Sequence, residues 1–206
     1  MKTAAITATL LAVLASANPI EIRQNGGCKA FTLLFARGTT EMGGLGMVVG
    51  PGLDRDVKAA LGADAVTVEG VTYPADMGGI MAEITGTGPG STAMTSQANS
   101  WLSKCPDTKL ILTGYSQGGM VVHNAAKKLS GKPIVAAVTF GDPFKGQKVA
   151  NVPEGSFKSF CGAGDTVCMS GGCASAGGCN SASPSGHLGY GSDTKTAASF
   201  IKSVVG

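Results

Sequence analysis

Runs of aliphatic residues that do not alternate with polar ones recur along this chain, and they limit its possible folds more than any other feature. FTLLFAR (31–37) stops at Gly38, while KLILTGY (109–115) and PIVAAVTF (133–140) are equally continuous and also end in glycine turns. AVTVEGV (65–71) alternates toward Tyr73 and Pro74, and SFKSFC (156–161) is a weaker run. A strand that is apolar on both faces must be covered on both, as in a parallel sheet between helix layers. Helical periods fill the gaps. Leu53, Val57 and Ala60/Leu61 share one face, and Ala93/Met94, Ala98 and Trp101/Leu102 share another, which places Trp101 in the core. QGGMVVHNAAKKL (117–129) is apolar nearly all round until its lysines, as a central helix would be. A last helix from about Asp193 presents Ala197, Phe200/Ile201 and Val204. The alternation predicts an α/β fold with a five-stranded, mostly parallel sheet flanked by helices.

The ends of the chain say where it works. Lys2 precedes an apolar stretch from Ala4 to Leu14, and Ala15-Ser16-Ala17 then offers a small-x-small cleavage site. This reads as a secretory signal peptide over residues 1–17, too short to anchor in a bilayer. Residues 18–23 suit a short pro-segment, which leaves 24–206 as one domain of ordinary size. Secretion makes Cys28, Cys105, Cys161, Cys168, Cys173 and Cys179 a disulfide set. Zinc is the competing reading for the last four, but they lack a paired C-x-x-C arrangement. Six cysteines leave the connectivity open. A formal charge of +3 with no basic run argues against nucleic acid, and no cofactor motif is present. A monomer without stable membrane insertion is expected.

Open parallel sheets carry their sites at the carboxyl ends of strands, and this chain puts a serine there. In LILTGYSQGG (110–119), Gly114-Tyr115-Ser116-Gln117-Gly118 matches the Gly-x-Ser-x-Gly elbow that exposes a nucleophilic serine. The serine needs a base, and the sequence offers two histidines. His123 lies seven residues along the helix that Ser116 opens, about 10 Å up the axis, and is read as a packed helix residue. His187 follows in a loop before the last helix and obeys the order Ser, Asp/Glu, His. For the acid, Asp142 and Asp165 each follow a predicted strand, and Glu154 lies in a connecting loop. Asp142 before Pro143 suits a turn, whereas Asp165 in CGAGDTVC sits in a loop that a Cys161–Cys168 bridge would clamp, so Asp165 is preferred. Oxyanion donors are expected at the Gln117 amide and at Thr39, in the glycine-rich loop after the first strand.

ARGTTEMGGLG, CPDTKLILTGYSQGG, CGAGDTVC and PSGHLGYGSD, in that order from residue 28 to 206, resemble the fungal cutinase family. The resemblance implies a small α/β hydrolase without a large lid, a secreted serine esterase acting on cutin polyester and short acyl esters. It implies Ser116, Asp165 and His187 as the triad and Thr39 and Gln117 at the oxyanion hole. It also pairs Cys28 with Cys105 and Cys161 with Cys168. The segment from Asp165 to His187 departs from the family in its length and in the added pair Cys173 and Cys179, for which a mutual bridge is expected.

Substrate choice rests on weaker signals. ADMGGIMAEI (75–84) places Met77, Ile80, Met81 and Ile84 in a glycine-broken segment that reads equally as the apolar lip of a groove or as a short amphipathic helix packing inward. Leu188, beside His187, joins them as a candidate contact for a lipid-like ester at an interface. Acetylxylan esterases are similar to cutinases and form the alternative, although aromatics at 5% give little for sugars to stack on. A non-catalytic binding or elicitor protein on the same scaffold is disfavoured by the presence of every triad member.

Overall fold

All five apolar runs form strands, and every pairing between them is parallel. The computed structural model describes residues 27–169 and 186–206, so the expected signal peptide, pro-segment and Cys173–Cys179 bridge lie outside the described residues. The strands are β1 (Phe31–Ala36), β2 (Val66–Gly70), β3 (Lys109–Tyr115), β4 (Ile134–Phe140) and β5 (Phe157–Phe160), in the order β2-β1-β3-β4-β5. β3 and β4 are buried along almost their whole length, which explains why neither alternates in sequence.

Helices α1 (Gly50–Leu61) and α6 (Thr194–Val205) cover one face, packing Leu53, Val57, Ala197 and Ile201 against Leu33, Phe35, Ile111 and Val138. Helices α3 (Pro89–Lys104) and α4 (Gln117–Lys128) cover the other, where Met94, Ala98, Val121 and Ala125 meet Leu34, Leu110 and Leu112. Chain direction across the sheet reverses between β1 and β3, so their carboxyl ends border a crevice of the kind that holds ligands in open α/β sheets. Residues 36–39 and 114–117 exit there side by side, since Ala36 pairs with Gly114.

Two expectations need adjusting. Trp101 is half-buried at the rim of the core, where its indole N–H donates to Glu69 Oε2 at 2.6 Å. Within the 75–84 segment, α2 (Met77–Ile84) runs unbroken through Gly78 and Gly79. The Asp76 carboxylate caps it by accepting the Gly79 amide at 2.7 Å. Among the described residues, no helix is long and apolar enough to cross a membrane.

Candidate active site

Ser116 occupies a backbone conformation that serine seldom adopts, with φ 55° and ψ −119° at the junction of β3 and α4. The glycines on either side make the corner possible. A Cβ at Gly114 would lie 2.1 Å from the Gly118 carbonyl oxygen, and one at Gly118 would lie 1.9 Å from that of Ala36. The Ser116 amide donates to the Phe140 carbonyl at 2.8 Å, pinning the elbow to the end of β4. Ser116 remains partly exposed while both neighbours are buried.

His187 arrives from the far end of the chain on a short 3-10 turn (Gly186–Leu188). Its Nε2 lies 2.8 Å from Ser116 Oγ and its Nδ1 lies 2.8 Å from Asp165 Oδ2. Its backbone carbonyl accepts from the Tyr115 hydroxyl at 2.9 Å. Asp165 is fully buried at the start of α5 (Thr166–Met169), in the loop closed by the Cys161–Cys168 disulfide. Burial pushes its carboxyl up, but hydrogen bonds from Tyr190, His187 and the Val167 amide outweigh this and hold it below the ordinary carboxylate value. The line Asp165–His187–Ser116 can therefore fix one imidazole tautomer and take a proton from the serine.

The other histidine is accounted for separately. His123 is fully buried on α4, with Nε2 2.9 Å from Asp142 Oδ2 and with Phe144 and Phe157 edge-on to its ring. Asp142 also accepts the Phe144 amide at 2.8 Å, so it serves both the expected turn and His123. His123 and Asp142 thus form a second pair, apart from Ser116.

The expected oxyanion donors lie at the same edge. The Gln117 amide opens α4 and has no intrahelical acceptor, as for any residue at a helix start. The Gln117 side chain does something the sequence did not signal: Nε2 donates to the Asp76 carbonyl at 2.9 Å, tying α4 to the start of α2. Thr39 sits in the turn after β1, beside Gly38, which packs against the Tyr115 ring.

Tyr190 was also missed. It is fully buried, donates its hydroxyl to Asp165 Oδ2 and accepts from the Gly162 amide at 3.0 Å. Only its place three residues after His187 hinted at it.

Around this constellation the rim is apolar. Met77, Met81 and Ile84 point outward from α2 and Leu188 is 73% exposed, whereas Ile80 is half-buried. The inward face of α2 consists of Gly79 and Glu83, with Glu83 accepting from the Ser91 amide at 2.9 Å and Asn124 Nδ2 at 3.1 Å. The helix is therefore held by polar contacts and shows its apolar face to solvent, which removes the inward-packing reading. Met42 and Met47 are exposed on the loop after β1, and Met42 faces the same groove as Met77. An open groove of about 750 Å³ runs between Met42 and Met77, over Arg37, Thr40, Glu41 and Asp76.

A parallel sheet of this order, with an elbow serine hydrogen-bonded to a histidine that an aspartate holds, defines an α/β hydrolase of the serine-hydrolase class. The family profile described as Cutinase matches residues 27–205. Cutinase 4 of Emericella nidulans is 46% identical over 97% of this chain and 82% of its own length. A cutinase of Botryotinia fuckeliana is 43% identical over the full length of both. The chain belongs to the cutinase family and is a carboxylic ester hydrolase. Among solved structures, Trichoderma reesei cutinase in complex with a C11Y4 phosphonate inhibitor superposes with a TM-score of 0.72 at 38% identity, over 87% of this chain and 78% of the other. An acetylxylan esterase superposes at 0.61 with 27% identity, over 87% of this chain and 100% of its own.

Proposed function

We propose that this chain is a secreted serine esterase that cleaves cutin polyester and short- to medium-chain acyl esters through an acyl-enzyme. The observation that carries the reading is the unbroken line of 2.8 Å contacts from Asp165 through His187 to Ser116, ending on a strained, partly exposed serine. His187 Nε2 takes the Ser116 proton as Oγ attacks the ester carbonyl, and Asp165 stabilises the imidazolium through Nδ1–H. Amides of Gln117 and Thr39, with the Thr39 hydroxyl, receive the developing oxyanion. Collapse expels the alcohol with the proton held by His187. Water then attacks the acyl-enzyme by the same route and releases the acid and free Ser116.

The apolar rim of Met77, Met81, Ile84 and Leu188 supports a water-poor, lipid-like polyester presented at a surface as the substrate. Sequential attack on such a solid needs a partly exposed nucleophile with no lid domain over it, and a monomer suffices. Lys2, the apolar stretch after it and the disulfides support secretion. A panel of p-nitrophenyl esters, cutin and acetylated xylan tests the reading. Hydrolysis of short and medium esters and of cutin is expected. Strict acetyl selectivity with rapid acetate release from xylan would instead make the chain an acetylxylan esterase.

A further inference from the structure

The glycine-rich loop between β1 and α1 enters the apolar core only near its end, through Leu45, Val48 and Val49, yet it carries Thr39 at its start. One half-buried side chain organises it. The Glu41 carboxylate accepts the Gly38 amide on Oε2 at 2.7 Å and the Met47 and Val48 amides on Oε1, each at 2.8 Å. A single carboxylate thus joins the exit of β1 to the entry of α1. Little room is left for it to move, because a Cβ at Gly46 would lie 2.4 Å from Oε2. Its backbone is fixed as well: the Glu41 carbonyl accepts from Arg37 Nε at 2.7 Å, and the Arg37 guanidinium reaches the Tyr73 carbonyl at 2.6 Å.

The peptide unit between Gly38 and Thr39 is what these contacts orient. Its carbonyl, that of Gly38, accepts the Glu41 amide at 3.2 Å. In a trans peptide the N–H lies opposite the C=O, so the Thr39 N–H is turned away from Glu41. The units on both sides are also held, through the Gly38 amide on Glu41 and the Thr40 amide on the Ala75 carbonyl at 2.7 Å.

We infer that Glu41 is a positioning residue for ester hydrolysis: its carboxylate and amide lock the Gly38–Thr39 peptide in the orientation that an oxyanion requires. The inference rests on the proposed role of Thr39 as an oxyanion donor. Charge-assisted bonds to backbone amides are stronger than neutral ones and suit this task. A donor that must be in place before charge develops gains most from such locking.

The experiment compares Glu41→Gln and Glu41→Asp with the unaltered enzyme on a soluble p-nitrophenyl ester, below the melting temperature of each. Glu41→Gln sets an NH2 against an amide at one end of the loop. Glu41→Asp keeps the charge but is too short to span both ends. Removing one oxyanion donor costs about 10²–10³ in kcat, and loosening one should cost less. A fall in kcat of about 10- to 100-fold is therefore expected for Glu41→Gln, with KM nearly unchanged and a smaller fall for Glu41→Asp. Affinity for an alkyl boronic acid, whose tetrahedral adduct fills the oxyanion position, should fall by the same factor as kcat/KM. A merely structural role would lower the melting temperature and leave boronate affinity and kcat intact. Unchanged kcat in both variants, or a lower kcat with unchanged boronate affinity, overturns the inference. Ser116→Ala is measured alongside. Full activity there removes the serine-esterase reading itself, whereas a dead Ser116→Ala beside an unaffected Glu41→Gln removes only the role of Glu41.

Discussion

Each of the two aspartates that compete in sequence for the catalytic role holds a different histidine, at nearly the same distance. Asp165 Oδ2 stands 2.8 Å from His187 and Asp142 Oδ2 stands 2.9 Å from His123. Replacing Asp165 by Asn should keep the shape but favour the wrong imidazole tautomer, lowering kcat on the order of 10⁴-fold. Replacing Asp142 by Asn should leave kcat within a few-fold and lower the melting temperature, because it disturbs a buried pair. Reversed results would reassign the acid. The carboxyl of Asp165 is held below its ordinary value, so it stabilises the folded state above its unfolded pKa of about 3.9 and loses that contribution as pH falls through the folded value. Melting temperatures of the unaltered protein should therefore drop more steeply than those of Asp165→Asn as pH falls below about 3.9. Parallel curves would show that Asp165 contributes nothing there. Ser116, His187 and Asp165 were legible because spacing, chain order and a cysteine-flanked loop each constrain them. Tyr190 and Glu41 were not, since a buried tyrosine and a carboxylate on backbone amides depend on contacts that no local pattern encodes.

Among the elements, β1, β3 and β4 were read almost to the residue because a parallel strand covered on both faces is apolar throughout, whereas the edge strands β2 and β5 are only partly buried and gave weaker patterns. Helix α2 was the ambiguous one, and the reason is physical. Apolar residues normally mark the buried face, but here the buried positions are Gly79 and Glu83. The contacts of Glu83 with Ser91 and Asn124 do the anchoring, so Met77, Met81 and Ile84 are free of packing duty. Their joint replacement by serine or glutamine should therefore cost little stability, within about 0.5 kcal/mol per site for surface changes. It should reduce release of product from insoluble polyester several-fold while leaving turnover of p-nitrophenyl acetate nearly unchanged. Equal loss on both substrates would mean that α2 supports the site by its fold and not by its surface.

At the scale of the whole molecule, the two described disulfides divide the work of holding the fold and holding the site. Cys28–Cys105 spans a sequence separation of 77 and joins the approach to β1 with the end of α3, across the edge of the α3/α4 layer. Cys161–Cys168 spans only 7 and encloses Asp165. In the chain-entropy model the long loop is worth about 4.5 kcal/mol and the short one about 2.5 kcal/mol. For a chain of this size 1 kcal/mol shifts the melting temperature by about 2–4 °C. Replacing Cys28 and Cys105 by serine should therefore lower it by roughly 9–18 °C, with kcat at 25 °C nearly intact, because both cysteines lie at the amino-terminal end of the sheet, away from Ser116. Replacing Cys161 and Cys168 should lower it by only about 5–10 °C. That second change also frees the segment presenting Asp165, whose carboxylate must keep His187 aligned within a few tenths of an ångström, and such misplacement costs rate steeply. The short bridge should thus cost kcat more than the long one although it costs less stability. Melting curves and ester turnover on the two double variants decide the matter. A larger melting loss from the short bridge, or unchanged kcat without it, would mean that Tyr190 and the Val167 amide hold Asp165 in place without help from the disulfide.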